Sequence, residues 1–185
     1  LKKICHQLED EKNHSGVAPG AKQGLYESKF DFCDRQEPSI VALTQFISQS
    51  IFTASAKANQ DFWQQGENYT IDIYNSWCHI TRKNGIHYTH NHGNSAWSAV
   101  YYIDIGSSDM ETADGVTRFY NPIQSSYDDP GTRWCTQNSA FDMPCQNGLL
   151  SVFPSWIYHG QQLYTGDDPR YVVAVNSKVH HVAKN

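Results

Sequence analysis

The chain has 185 residues and a formal net charge of −5 at neutral pH. That length suits one domain able to bury a core without staples, and the negative balance argues against a general nucleic-acid or membrane-surface partner. No apolar run approaches the ~20 residues of a membrane-spanning helix.

Aromatic residues make up 13% of the chain and charged residues 18%, a balance that suits a β-rich fold with a roomy, aromatic-lined interior. The five cysteines (Cys5, Cys33, Cys78, Cys135 and Cys145) show no metal-type CxxC pairing. An odd number without a tight framework predicts a reducing, cytoplasmic setting, although Cys135 and Cys145 are spaced to bridge a loop. Asn13-His14-Ser15 and Asn68-Tyr69-Thr70 fit the glycosylation pattern, which is too short to be diagnostic.

Residues 1–37 lack a sustained period: Lys2 to Glu11 reads as a helix end, and the remainder as an arm around the core. From Pro38, the residues Ile40, Leu43, Phe46, Ile47, Ile51 and Ala54 recur at helical spacing behind a Pro-Ser start signal. This predicts an amphipathic helix that covers one sheet face.

From Tyr69 the period becomes two, with Tyr69, Ile71, Ile73 and Trp77 on one face and Thr70, Asp72, Ser76 and Arg82 on the other. In that register Asn75 and His79 also point inward, where polar groups need partners or line a ligand site. Lys83-Asn84-Gly85 reads as a turn. Trp97, Ala99, Tyr101 and Ile103 then share one face of a strand, with Ser98, Val100 and Tyr102 on the other. Gly115 to Asn121 is a short strand, and Pro122 to Gln146 is a long insertion, a candidate substrate lid with Tyr127, Arg133 and Trp134 as candidate substrate contacts.

Gly148 to Phe153 is an apolar strand, and Tyr164 to Pro169 reads as a hairpin loop. The last strand places Arg170, Val172, Ala174 and Asn176 on one face, where an arginine is costly unless a carboxylate neutralises it. One domain over 1–185 follows, with an arm and helix over 1–66 and a β-barrel core over 67–185 that carries the 122–146 insertion. Short strands at regular intervals behind one or two helices predict a mainly β, closed or sandwich-like fold.

The stretch Gly85 to Ile105 packs His87, His90 and His92 together. On a strand, residues i and i+2 share a face, so His90 and His92 can address one ion. His159 is the candidate third ligand. Three protein ligands on one side leave positions open for small molecules, as catalytic sites require. Imidazole suits iron, zinc, nickel and copper alike, so donor type does not choose the metal.

The segments HNHGNSAWSAVYYID, DGVTRFYNP, GLLSVFPSWIYHG and RYVVAVN resemble the iron(II)/2-oxoglutarate-dependent oxygenases, in particular a small subfamily with a Phe-Pro-Ser-Trp-x-x-His end. The similarity runs from about Trp77 to Asn176. It implies a double-stranded β-helix, a jelly-roll barrel, and a hydroxylase that uses Fe(II), O2 and 2-oxoglutarate on an amino-acid-like, peptidyl or small-metabolite substrate. By position, His90, His92 and His159 would hold iron, with His92 standing where most of the superfamily has a carboxylate. Arg170 would pair with the far carboxylate of 2-oxoglutarate, a fork-on-carboxylate match. Tyr102 would donate to that same carboxylate, and Asn176, His79 and Asn75 would complete the cosubstrate pocket. His79 takes the place of the subfamily's asparagine in Trp-x-Asn. The residues alone also allow a three-histidine metal enzyme on a cupin-like barrel that ignores 2-oxoglutarate, or a non-catalytic barrel.

Overall fold

A computed structural model describes residues 1–16, 20–64, 66–122, 130–131 and 139–182. Two helices precede or flank eight strands: α1 (Lys2–Asp10), β1 (Lys22–Glu27), α2 (Pro38–Ala58), β2 (Asn68–His90), β3 (Trp97–Asp104), β4 (Thr117–Tyr120), β5 (Ala140–Met143), β6 (Leu150–Pro154), β7 (His159–Tyr164) and β8 (Arg170–Val182). The strands hydrogen-bond in the order β5-β4-β7-β2-β8-β3-β6, with β1 added along β2, and every strand pairing is antiparallel. The result is a nearly closed barrel of the double-stranded β-helix type, mainly β as its composition predicts.

Helix α2 forms where the periodicity places it, with Pro38 in its first turn, where a missing N–H costs nothing. Its buried stripe, Ile40, Leu43, Ile47 and Ile51, packs on the outer face of the sheet against Cys78, Ile80, Ala99, Val173 and Val175, and α1 adds Cys5 and Leu8. Each fully buried aliphatic side chain there contributes about 1.5–3 kcal/mol. Strand β8 is buried without a break from Arg170 to Ser177 because both faces are covered. Tyr171, Val173 and Val175 face the helices, while Arg170, Val172 and Ala174 line the interior.

Three of the expected features differ, each through a local irregularity. The β2–β8 register slips between Ile73 and Asn75. One extra residue inverts the alternation, so Ile71 and Ile73 join Cys78 and Ile80 in the helix-facing core, while Trp77 and His79 line the interior. Lys83-Asn84-Gly85 does not reverse the chain but lies inside β2, where the β1 partner jumps from Thr81 to Ile86. Asn84 takes φ 65° there. Gly24 and Gly85 face each other at this excursion, and a Cβ on Gly24 would lie 2.9 Å from the Gly85 Cα. The segment Tyr164 to Pro169 is not a hairpin loop, since β7 and β8 flank β2 on opposite sides and the chain crosses over between them.

Two segments expected to be irregular carry strands. The N-terminal arm supplies β1, and the 122–146 insertion supplies β5, which pairs with β4 from Thr117↔Met143 to Tyr120↔Ala140. Among the described residues no helix is long and apolar enough to cross a membrane. Cys145 is a free thiol and Cys135 lies outside the described residues.

Candidate metal centre

Three strands meet in register at one end of the barrel. His90 on β2 stands opposite His159 on β7, which in turn stands opposite Phe119 on β4. The next inward-facing set is His87, Gln161 and Thr117 on the same three strands. Both histidines of β2 face inward despite their three-residue spacing because a bulge falls between them, three residues of β2 spanning two of β7. Glycine is required opposite that bulge: a Cβ on Gly160 would lie 2.7 Å from the His87 carbonyl oxygen.

His92 lies just past the end of β2 rather than two residues along a continuous strand, as the spacing suggests. Its backbone N–H donates to the Ser155 carbonyl at 3.0 Å, which brings the ring back over the same opening. His90, His92 and His159 then offer ring nitrogens within 4.8 Å of one another. Two ligands each about 2.1 Å from one ion lie at most ~4.2 Å apart, so small side-chain adjustments close this set around a metal.

The donor chemistry fits a divalent transition metal. His90 and His159 each donate Nδ1–H to a backbone carbonyl two residues back, Tyr88 at 2.7 Å and Ile157 at 2.9 Å, which leaves Nε2 as the free lone pair. Burial lowers the pKa of all three imidazoles, with neighbouring histidines adding to the effect for His92, to about 3, and for His159, to about 4. They are neutral at pH 7, the form that binds metal. Phe119 and Phe153 pack on His159 with ring centroids 5.8 and 4.7 Å away and fix its orientation.

Deeper in the barrel, Arg170 is 2% exposed. Its Nη1 donates to Gln161 Oε1 at 3.0 Å and its Nη2 to Thr117 Oγ1 at 3.4 Å, while Nε has no partner among the described residues. Tyr102, fully buried, donates its hydroxyl to the same Thr117 oxygen at 2.9 Å, and the guanidinium carbon stands 5.2 Å from the Tyr102 ring centroid. Among the described residues no carboxylate reaches Arg170, and burial pulls its pKa down. A buried cation satisfied only by neutral groups costs several kcal/mol, and an incoming anion relieves that cost.

On the other side of the histidines an outer chamber of about 370 Å³ is lined by Phe30, Tyr74, Asn75, Trp77, His87, Asn91, Asn176 and Glu27. Glu27 is 5% exposed, ion-paired with Lys22, and its Oε2 lies 2.7 Å from His79 Nε2. Burial pushes the Glu27 carboxyl up, but hydrogen bonds from His79 and Lys22 outweigh it and hold it below the usual carboxylate range. Burial lowers His79 in turn, against the pull of Glu27. His87, between His79 and His90 at centroid distances of 5.2 and 4.3 Å, is pushed down to about 2 by burial and then by those neighbours.

The structure thus gathers His90, His92, His159, Arg170, Tyr102 and His79 around one interior and places Asn75 and Asn176 on its outer chamber. Tyr127, Arg133 and Trp134 lie outside the described residues. Sequence reasoning passed over Glu27, Thr117, Gln161, Ser98 and Ser155. Gln161 and Thr117 carried a signal, since Gln161 follows His159 by one pleat repeat and Thr117 precedes Phe119 by another. Glu27 carried none, because the arm containing it showed no period.

Comparison with known proteins identifies the family and the fold. Residues 75–176, more than half of the chain, match the family described as "Putative 2OG-Fe(II) oxygenase". The chain belongs to that family, and it is an enzyme that uses Fe(II) and 2-oxoglutarate. No curated protein matches it at a meaningful level. Among solved structures, a prolyl-4-hydroxylase from Pseudomonas putida covers 95% of this chain and 82% of its own at 14% identity, with a TM-score of 0.54. HygX from Streptomyces hygroscopicus, solved with nickel and 2-oxoglutarate bound, covers 96% and 78% at 12% identity, with a TM-score of 0.55. A Trichoplax adhaerens prolyl hydroxylase in complex with a hypoxia inducible factor peptide fragment covers 96% and 76% at 10% identity, with a TM-score of 0.59. At these identities the structural likeness speaks for the fold.

Proposed function

We propose that His90, His92 and His159 hold the iron, that Arg170 holds the far carboxylate of 2-oxoglutarate, and that the outer chamber receives an amino-acid-like or peptidyl side chain, or a small metabolite, for hydroxylation. The observation that carries this reading is Arg170, a buried guanidinium that among the described residues has no anionic partner and that donates to Gln161, the residue one pleat repeat from His159. Two residues of strand span about 6.6 Å, so the Gln161 level, where the guanidinium is held, suits the far end of a five-carbon dicarboxylate whose near end is at the histidines.

Bound iron supplies the activation of O2 coupled to decarboxylation of 2-oxoglutarate. The chain supplies orientation and exclusion of water. Gln161 lends its amide oxygen to both Thr81 and Arg170, and so stands in for the cosubstrate carboxylate. The inner slot is about 40 Å³ as the side chains stand, so 2-oxoglutarate enters by displacing Gln161 from the Arg170 fork. Thr117 and Tyr102 then hold the guanidinium in plane for a bidentate pair. The neutral imidazoles of His79 and His87 wall the slot without adding charge beside the metal.

The test compares wild type, Arg170→Lys and Arg170→Met for binding of Mn(II) and then of 2-oxoglutarate by calorimetry. The reading expects unchanged Mn(II) affinity in all three and a loss of 2-oxoglutarate affinity of a hundredfold or more in Arg170→Met, with Arg170→Lys between. Equal 2-oxoglutarate affinity in all three would place the cosubstrate elsewhere.

A further inference from the structure

His92 is held differently from the other two histidines. His90 and His159 rest their Nδ1 atoms on backbone carbonyls, which only accept, so their tautomer is fixed. The Nδ1 of His92 instead faces the side-chain amide of Asn176 at 3.2 Å. An amide can present either an N–H or an oxygen, and the two ends are told apart only by their hydrogen-bond partners.

Those partners form a short buried relay. Ser98 Oγ lies 2.7 Å from the Asn176 Oδ1 and 2.7 Å from Ser155 Oγ. Ser98, Ser155 and Asn176 are 2%, 0% and 5% exposed. In this direction Ser155 donates to Ser98, Ser98 donates to the amide oxygen, and the amide N–H donates to His92 Nδ1. The His92 proton is then on Nε2, the nitrogen that the Asn176 contact leaves free for an ion, and in this tautomer that nitrogen has no lone pair. Turning the amide over reverses the relay. His92 Nδ1–H donates to the amide oxygen, the amide N–H donates to Ser98, and Ser98 donates to Ser155. A hydroxyl can donate or accept, so Ser98 keeps both its bonds in either direction. No proton is gained or lost overall; the imidazole exchanges Nε2–H for Nδ1–H.

We propose that Asn176 is a positioning residue that selects the ligating tautomer of His92, with the Asn176–Ser98–Ser155 relay running one way in the metal-free protein and the other way once a divalent cation is bound. This rests on His92 being a ligand, as proposed above. Ser155 anchors both ends of the device, since its carbonyl also takes the His92 backbone N–H at 3.0 Å. A neutral amide suits the task because it can serve either tautomer, whereas a carboxylate could serve only one.

The test measures Co(II) affinity and the Co(II) visible spectrum in wild type, Asn176→Asp, Asn176→Leu and His92→Ala. In parallel, nitrogen NMR of labelled histidine reads the His92 tautomer with and without Zn(II). The proposal expects Nε2–H in metal-free wild type and Nδ1–H with Zn(II) bound. It expects Asn176→Leu to bind Co(II) about ten- to a hundredfold more weakly, and Asn176→Asp, an obligate acceptor for Nδ1–H, to bind at least as tightly as wild type. Equal weakening in Asp and Leu would reduce Asn176 to a packing role and overturn the proposal, as would an unchanged tautomer on adding Zn(II). Should His92→Ala bind Co(II) as wild type does, the ligand assignment itself has failed. Should His92→Ala lose the metal while both Asn176 variants bind normally, the relay alone has failed.

Discussion

His90 and His159, 69 positions apart in the chain, are direct cross-strand partners on β2 and β7, with ring centroids 4.5 Å apart. The pair exists because β2 bulges between His87 and His90 and because residue 160 has no side chain to obstruct the bulge. Replacing Gly160 with alanine would set a methyl 2.7 Å from the His87 carbonyl oxygen. We expect Gly160→Ala to cost about 1–3 kcal/mol in denaturant unfolding and to weaken metal binding. Gly93→Ala, whose Cβ meets nothing within 4 Å, serves as the control and should stay within about 0.5 kcal/mol of wild type.

Arg170 separates stability from cosubstrate binding. Its charge is buried with no counter-ion among the described residues, so removing it relieves a cost that the metal-free protein bears. Arg170→Met should unfold at the same denaturant concentration as wild type or higher, by up to about 1–4 kcal/mol, while losing 2-oxoglutarate binding. A strongly destabilised Arg170→Met with intact 2-oxoglutarate binding would make the arginine structural.

Ligand linkage gives a second thermodynamic signature. A ligand bound only by the folded state at a hundred times its dissociation constant adds about 2.7 kcal/mol. Mn(II) should therefore raise the unfolding midpoint of wild type, and 2-oxoglutarate should raise it further only when Mn(II) is present. His159→Ala should show neither increment, because it removes one of the three proposed ligands.

Glu27 sets an acid limit. Its folded carboxyl lies below the ordinary 4.5, as hydrogen bonds from His79 and Lys22 outweigh the opposing effect of burial. A depressed carboxyl contributes stability that is present above the unfolded pKa and lost as pH falls towards the folded one. Wild type should therefore lose stability progressively below about pH 4.5, and Glu27→Gln should show a shallower acid slope there. At pH 7 the substitution should cost about 3 kcal/mol, because it leaves Lys22 and His79 without the carboxylate. Identical acid slopes in the two proteins would mean that Glu27 is not held ionised.

Much of the fold and site could be read from residue patterns because they are periodic or chemically unusual. The stripe from Ile40 to Ile51, the alternation of Arg170, Val172, Ala174 and Asn176, and the His-x-His stretch each state their role locally. What could not be read depends on irregularities that periodicity does not encode. The slip at Tyr74 exchanges the faces of Ile73 and Trp77, and the bulge before His90 turns His87 into the interior at an odd spacing. Strands β1 and β5 are short edge elements whose partners, not their composition, make them strands. Glu27 reaches the site through such an edge, which is why an aperiodic arm hid it.

The central claim is that one interior holds iron at its three histidines and 2-oxoglutarate against Arg170. An anaerobic titration of the metal-free protein with Fe(II), then with 2-oxoglutarate, tests it through the visible spectrum. The account predicts a weak charge-transfer band that appears only when protein, Fe(II) and 2-oxoglutarate are together, is absent in His159→Ala, and needs far more 2-oxoglutarate in Arg170→Met. Iron bound by the wild-type protein with no band at saturating 2-oxoglutarate would contradict it.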